Sequence, residues 1–90
     1  MNRNYRIFIT HSAERDLAKL ESKVARRVII KLRRYEADDD PLRHAKQLKG
    51  LDNTYRFRIG DYRAIFELQP DGTITLLVIL RIRHRKDVYR

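Results

Sequence analysis

There is no cysteine in the 90 residues, which excludes disulfides and thiolate-bound metal. No apolar run approaches the ~18 residues of a membrane-crossing helix, and no internal repeat, linker or low-complexity segment interrupts the chain. The N-terminal residues carry charge where a signal peptide has an apolar stretch, so a cytoplasmic protein with no membrane partner is expected. Acids are scarce beside bases: 12 Asp and Glu stand against 21 Lys and Arg, a formal net charge of +9. Such an excess favours nucleic acid, an anionic surface or an acidic protein. A hydrophobic content of 42% is ordinary for a globular chain and excludes wholesale disorder. The length allows one domain, spanning residues 1–90.

Metal-ligand spacing is missing too. Asp38, Asp39 and Asp40 precede Pro41 and read as a helix terminator, because no histidine or further carboxylate stands at ligand spacing. No metal and no other cofactor is expected.

What is there alternates. Tyr55, Arg56, Phe57, Arg58 and Ile59 switch between apolar and cationic, the period of a half-buried strand. Gly60 and Asp61 supply a Gly-first hairpin turn, and the chain returns from Tyr62 to Leu68. A two-residue loop sets Ile59 opposite Tyr62, Arg58 opposite Arg63 and Arg56 opposite Ile65. Like charges directly opposite destabilise a sheet, so this concentration of arginine points to a polyanion.

Elsewhere, residues 5–10 read as an opening strand with Ile7 and Ile9 on one face and Arg6 and Phe8 on the other. Thr10 and Ser12 are candidate caps for a helix through Leu20, striped by Ala13, Leu17 and Leu20. A second helix runs from Ser22 to Ala37 with Val24, Val28, Leu32 and Tyr35 inward, broadened by Ala25 and Ile29. Its other face is basic, with Arg26, Arg27 and Lys31 read as a solvated surface. Residues 42–54 read as a polar connection, and residues 73–82 as a central strand apolar on both faces. The expected fold is α+β, β-α-α-β-β-β, with a helical hairpin on one face of an antiparallel sheet.

The face away from the helices is expected to expose Arg56, Arg58 and Arg63, joined by Arg81 and Arg83 from the last strand. Arginine holds phosphate bidentately and stays charged. Tyr62 and Tyr89 can stack on unpaired bases. RNA is cut without metal when its 2′-oxygen attacks the adjacent phosphorus, given a base, an acid and cations on the phosphate. His84, among four cationic neighbours, is the candidate acid, with Tyr89 second. No base is evident; His11 and His44 receive no role. A histidine near a strand end is commonly structural, and Tyr89 can equally pack the chain end on the sheet.

Leu48-Lys49-Gly50, the run from Tyr55 to Arg63 through Gly60-Asp61, and His84-Arg85-Lys86-Asp87-Val88-Tyr89 resemble the RelE/ParE toxin superfamily, chiefly its RelE-like branch. The resemblance covers essentially the whole chain and implies a RelE-like, microbial ribonuclease-type fold. It implies the toxin of a type II toxin–antitoxin pair, an endoribonuclease cutting mRNA in the ribosomal decoding site. Arg63 matches the arginine that supports the scissile phosphate, and Arg56 and Arg58 match basic residues, often lysines, that hold RNA and take part in proton transfer. Arg83 matches an arginine on the leaving-group side, His84 falls where a number of members carry histidine, and Tyr89 matches a tyrosine that contacts the substrate base. Lys49, Arg56, Arg81, Arg85 and Lys86 are assigned to RNA binding. Arginine at 58 departs from the lysine of some members, which leaves the base unassigned. The implied partners are a cognate antitoxin that wraps the toxin, the ribosome with its mRNA, and operator DNA contacted through the antitoxin. Two other readings stay open: a ParE-like gyrase inhibitor of the same fold, and a non-catalytic basic binding module.

Overall fold

The computed structural model describes residues 4–88. β1 (Tyr5–Ile9) leads into α1 (His11–Ala18) and α2 (Ser22–Ala37). A 3-10 turn (Pro41–His44) then opens a run of four strands: β2 (Ala45–Gln47), β3 (Thr54–Ile59), β4 (Tyr62–Asp71) and β5 (Ile74–His84). A single helical turn, α3 (Arg85–Val88), follows. The five strands lie in the order β1-β5-β4-β3-β2.

The α+β class and the helical hairpin on one sheet face agree with the sequence reading. The wholly antiparallel sheet does not: β2 to β5 form an antiparallel meander, but β1 runs parallel to β5. The chain leaves β1, crosses one face as α1 and α2 and re-enters at the far edge. The meander therefore ends beside β1 in the same direction, a pairing that needs a long crossover. β2 is the second correction, since it lies inside the segment read as a polar connection. At three residues, with Lys46 and Gln47 exposed, it is too short for alternation to mark it.

Thr10 caps α1. Its hydroxyl oxygen accepts from the Ala13 N–H at 3.2 Å and its hydroxyl donates to the Ile79 carbonyl at 2.6 Å, so the cap also ties α1 to β5. Ser12, the other candidate cap, lies inside the helix, which ends at Ala18 rather than Leu20. The Lys19 and Leu20 N–H groups turn back to the Asp16 and Leu17 carbonyls. α2 keeps the expected bounds and buries Val28, Leu32 and Tyr35 at i, i+4 and i+7. Those side chains meet a continuous aromatic stack in the sheet. Tyr35 lies 4.6 Å from Phe57, Phe57 lies 4.4 Å from Phe66, and Phe66 lies 5.8 Å from Tyr55. Phe57, Phe66, Leu32, Leu77 and Ile79 are fully buried; each such side chain contributes about 1.5–3 kcal/mol by leaving water. The outer edge of β1 is closed by α2: the Ile7 N–H donates to Glu36 Oε2 at 2.7 Å and Arg33 donates to the Ile7 carbonyl at 3.3 Å.

Candidate nucleic-acid interface

The β3–β4 hairpin has the register the two-residue loop dictates, with Ile59 opposite Tyr62, Arg58 opposite Arg63 and Arg56 opposite Ile65. Gly60 has a φ of 60°, the left-handed value a Gly-first hairpin turn requires. Phe57, Ala64 and Phe66 point to the helices, so the pleat sends Arg56, Arg58 and Arg63 to the open face. β5 adds Arg83 directly opposite Arg63. Arg58, Arg63 and Arg83 thus form one row across three adjacent strands, at strand spacings of ~4.8 Å. On the next row, β2 places Lys46 opposite Arg56.

The three arginines of the row are not alike. Arg58 is exposed and Arg83 half-buried, while Arg63, expected on the exposed surface, is only 6% exposed. One Arg63 terminal nitrogen, Nη1, donates to the Gly60 carbonyl at 3.0 Å and the Tyr62 carbonyl at 2.9 Å. The face was read correctly and the exposure was not, because the guanidinium folds back on its own turn. Arg56, Arg58 and Arg63 line an open hollow of about 380 Å³ together with Arg43, His44 and Lys46.

Those last three residues were missed as a group. They come from the 3-10 turn and β2, and they reach the hollow only because β2 pairs with β3. His44 stacks on Tyr35 with ring centres 4.6 Å apart and planes 23° apart, extending the core aromatic stack to the sheet edge. Its Nε2 lies 2.8 Å from Asp38 Oδ2. Asp38, read as part of a helix terminator, does follow α2 directly and also accepts from the Asp40 N–H and from Arg43. His44 chiefly, then the Asp40 N–H and Arg43, hold the Asp38 carboxyl well below the usual carboxylate range.

Arg81 lies two residues before Arg83 in unbroken register, opposite Ile65 as Arg83 is opposite Arg63, so the two share a face of β5 as expected; what was not expected is its engagement by α1. The register of β4 and β5 shifts just beyond it, between Ile65 and Phe66. Ile65 faces Arg81 and Phe66 faces Ile79, so Leu80 is the extra residue of a bulge. Arg81 forks onto Asp16 of α1, with Nε 2.8 Å from Oδ2 and a terminal nitrogen 3.0 Å from Oδ1. Asp16 Oδ2 also accepts from the Ile82 N–H at 2.9 Å. The Arg81 bonds, then the Ile82 N–H, lower the Asp16 carboxyl against the opposing effect of burial.

His84 is not brought to the arginine row. It pairs with Tyr62 across β4 and β5, and its ring stands edge-on to the Tyr62 ring at 5.3 Å and 83°. Tyr62 shares the helix-side face of β4 with Ala64 and Phe66, so the His84 ring lies on that side. Its Nδ1 accepts from the Lys86 N–H at 3.2 Å. Arg83 and His84 do line one separate hollow, at the end of β5 beside Asp16, Lys19 and Tyr62. Arg85 is exposed and its Nε lies 3.6 Å from Asp61 of the hairpin turn, while Lys86 is exposed on α3. Lys49 is exposed in the turn beyond β2. Tyr89 lies outside the described residues.

Among the described residues, no three His, Asp, Glu or Cys side chains cluster to hold a metal ion, and no helix is long and apolar enough to cross a membrane. The arrangement offers a row of guanidiniums on an open sheet face, with an exposed imidazole at its edge. It suits a phosphodiester backbone.

Fold and sequence together define the class. Residues 7–89 match the family model of the ParE toxin of type II toxin–antitoxin systems, parDE, and the chain belongs to that family, within the RelE/ParE superfamily. Toxin RelG of Mycobacterium tuberculosis is 36% identical over 87 residues, covering 96% of this chain and 97% of that protein. The toxin–antitoxin complex RelBE2 of the same organism superposes with a TM-score of 0.70 at 32% identity, covering 91% of this chain and 99% of that one. The archaeal RelE–RelB complex of Pyrococcus horikoshii has the same fold, with a TM-score of 0.67 at 22% identity over 94% of this chain and 99% of that one. The protein is a type II toxin of this superfamily.

Proposed function

We propose that this toxin is an endoribonuclease that cuts mRNA on the ribosome by attack of a ribose 2′-oxygen on the neighbouring phosphorus. The observation that carries the reading is the row of Arg58, Arg63 and Arg83. Three guanidiniums in register supply the positive charge that a crowded phosphorane needs, without a metal ion. Arg63 is held by its own turn and acts as a fixed charge, while Arg58 and Arg83 on either side reach the phosphate oxygens. Arg56 and Lys46 on the next row extend the contact along the backbone, and Arg85 and Lys86 hold flanking phosphates as the chain leaves β5. Tyr89 stacks on a substrate base and serves the departing 5′-oxygen. The Arg81 guanidinium, engaged by Asp16, anchors α1 to the sheet and takes no RNA.

A cognate antitoxin is the expected protein partner. The net charge of +9 suits an acidic wrapping chain, and the superposable RelBE2 and RelE–RelB structures are of toxins bound to antitoxins. Operator DNA would be contacted through that antitoxin, and the site of action is the cytoplasm. One observation favours a second reading, inhibition of DNA gyrase: the matching family model is that of ParE. The two readings separate in one experiment. Purified toxin is given translating ribosomes in one reaction and gyrase with relaxed plasmid in another. Cleaved message ending in a cyclic or 3′-phosphate supports the nuclease. Intact message with blocked supercoiling supports the gyrase inhibitor.

A further inference from the structure

The hollow beside the arginine row has a histidine at its edge. His44 is the last residue of the 3-10 turn and directly precedes Ala45, which pairs with Phe57 across β2 and β3. His44 lines the hollow beside Arg56, Arg58 and Arg63. Two contacts fix its ring. Tyr35, itself part of the buried aromatic stack, lies face-on at 4.6 Å. Asp38 Oδ2 lies 2.8 Å from Nε2. An ionised carboxylate can only accept, so Nε2 carries the hydrogen and Nδ1 is the basic nitrogen of the neutral ring. Arg43 Nε also approaches Nε2, but at 3.5 Å, and yields to the shorter carboxylate contact.

We propose that His44 is the general base of the cleavage reaction, kept in its reactive tautomer by Asp38 and oriented by Tyr35. The inference rests on the endoribonuclease reading and deepens it. The 2′-hydroxyl of an RNA whose phosphate lies on the arginine row gives its proton to His44 Nδ1. The O2′–P bond forms, the P–O5′ bond breaks, and O5′ takes a proton from water or from the C-terminal end of the domain. A 2′,3′-cyclic phosphate and a 5′-hydroxyl result, and Asp38 stabilises the imidazolium until it returns its proton to water. Arginine at 58 cannot take this proton, because guanidinium stays protonated; a neighbouring imidazole can.

The groups facing the ring come from every element around it. Asp38 and Arg43 flank it from the chain after α2 and from the 3-10 turn, and Lys31 of α2 lies over the Tyr35 ring at 5.4 Å. Lys46 of β2, Arg56 and Arg58 of β3, and Arg63 of β4 face it across the hollow.

The test is single-turnover cleavage of ribosome-bound message between pH 5.5 and 8.5, by wild type, His44→Phe, His44→Ala and Asp38→Asn, each checked for its fold by circular dichroism. Phenylalanine preserves the stack on Tyr35 and removes the base. His44→Phe is expected to lose ~100-fold or more in rate, the usual scale for a positioned proton acceptor. The fall in wild-type rate on acidification is expected to vanish in that variant. Asp38→Asn should fall between the two, and added imidazole should restore part of the His44→Ala rate. A His44→Phe protein that cleaves at the wild-type rate with the wild-type pH profile overturns the inference and leaves the nuclease reading standing. Wild type that leaves message intact overturns both.

Discussion

Arg58 and Arg63 stand directly opposite each other across the β3–β4 hairpin. Two like charges at such a position weaken a sheet, and the strain is relieved by turning Arg63 back onto the Gly60 and Tyr62 carbonyls. A pairing that costs stability and is kept at the centre of a cationic row is best explained by the ligand it meets.

That relationship makes Arg58→Glu a sharp test. An opposite-charge pair across the strands contributes roughly 0.2–1 kcal/mol, so the melting temperature should hold or rise. Growth inhibition and cleavage should fall ~100-fold or more, because a cation on the phosphate becomes an anion. Thermal melts and single-turnover rates on the same preparation decide it. Full toxicity at unchanged stability would remove Arg58 from the site.

Arg63→Ala should behave differently, losing both properties. The residue is buried, and its removal strips two turn carbonyls of their donor. A stability loss of about 1–2 kcal/mol is expected, together with loss of cleavage. Denaturant unfolding read beside activity separates the two effects. Unchanged unfolding would mean that the turn does not depend on the guanidinium.

The legible parts of this protein are those specified locally. One two-residue turn at Gly60 and Asp61 set the pairing of six residues on each side, and α2 announced its buried face by spacing alone. What escaped was non-local or irregular. The parallel pairing of β1 with β5 joins residues some seventy positions apart, and nothing in either strand names its partner. The bulge near Leu80 leaves no mark in an apolar run, and nothing beside Arg81 in the sequence shows that Asp16, 65 positions away, takes its guanidinium. His44 reached the site through a three-residue strand too short to be seen and through an aspartate that looked like punctuation.

Asp16 offers a test of the tie between α1 and β5. Its carboxyl accepts from Arg81 and the Ile82 N–H, which lowers its pKa in the fold. A carboxyl lowered in the fold contributes its stability fully above the unfolded value, ~3.9, and loses it as pH falls through the folded value. Asp16→Asn should therefore lower the melting temperature near neutrality by about 5 °C, on the scale of such domains. The gap between variant and wild type should narrow steadily below pH 4. A gap independent of pH would mean that Asp16 acts through packing and not through its charge.

His84 poses the last question, because chain position and geometry disagree about it. By sequence it follows Arg83 and is the candidate acid; by structure its ring lies on the helix side, edge-on to Tyr62, with Nδ1 accepting from Lys86. The expectation here follows the geometry, since an acid must reach the departing oxygen to help it. His84→Gln should keep ribosome binding and most of the cleavage rate, well short of the ~100-fold loss of a missing proton donor. Its measurable effect should be on the strand end, as a lower melting temperature. Removing Arg85 or Lys86 should instead weaken association and flatten its dependence on salt, as expected for charges that neutralise phosphates. A hundredfold slower His84→Gln protein with an intact fold would show that the C-terminal end turns over the edge of β5 in the complex. The imidazole would then reach the phosphate through the hollow it shares with Arg83.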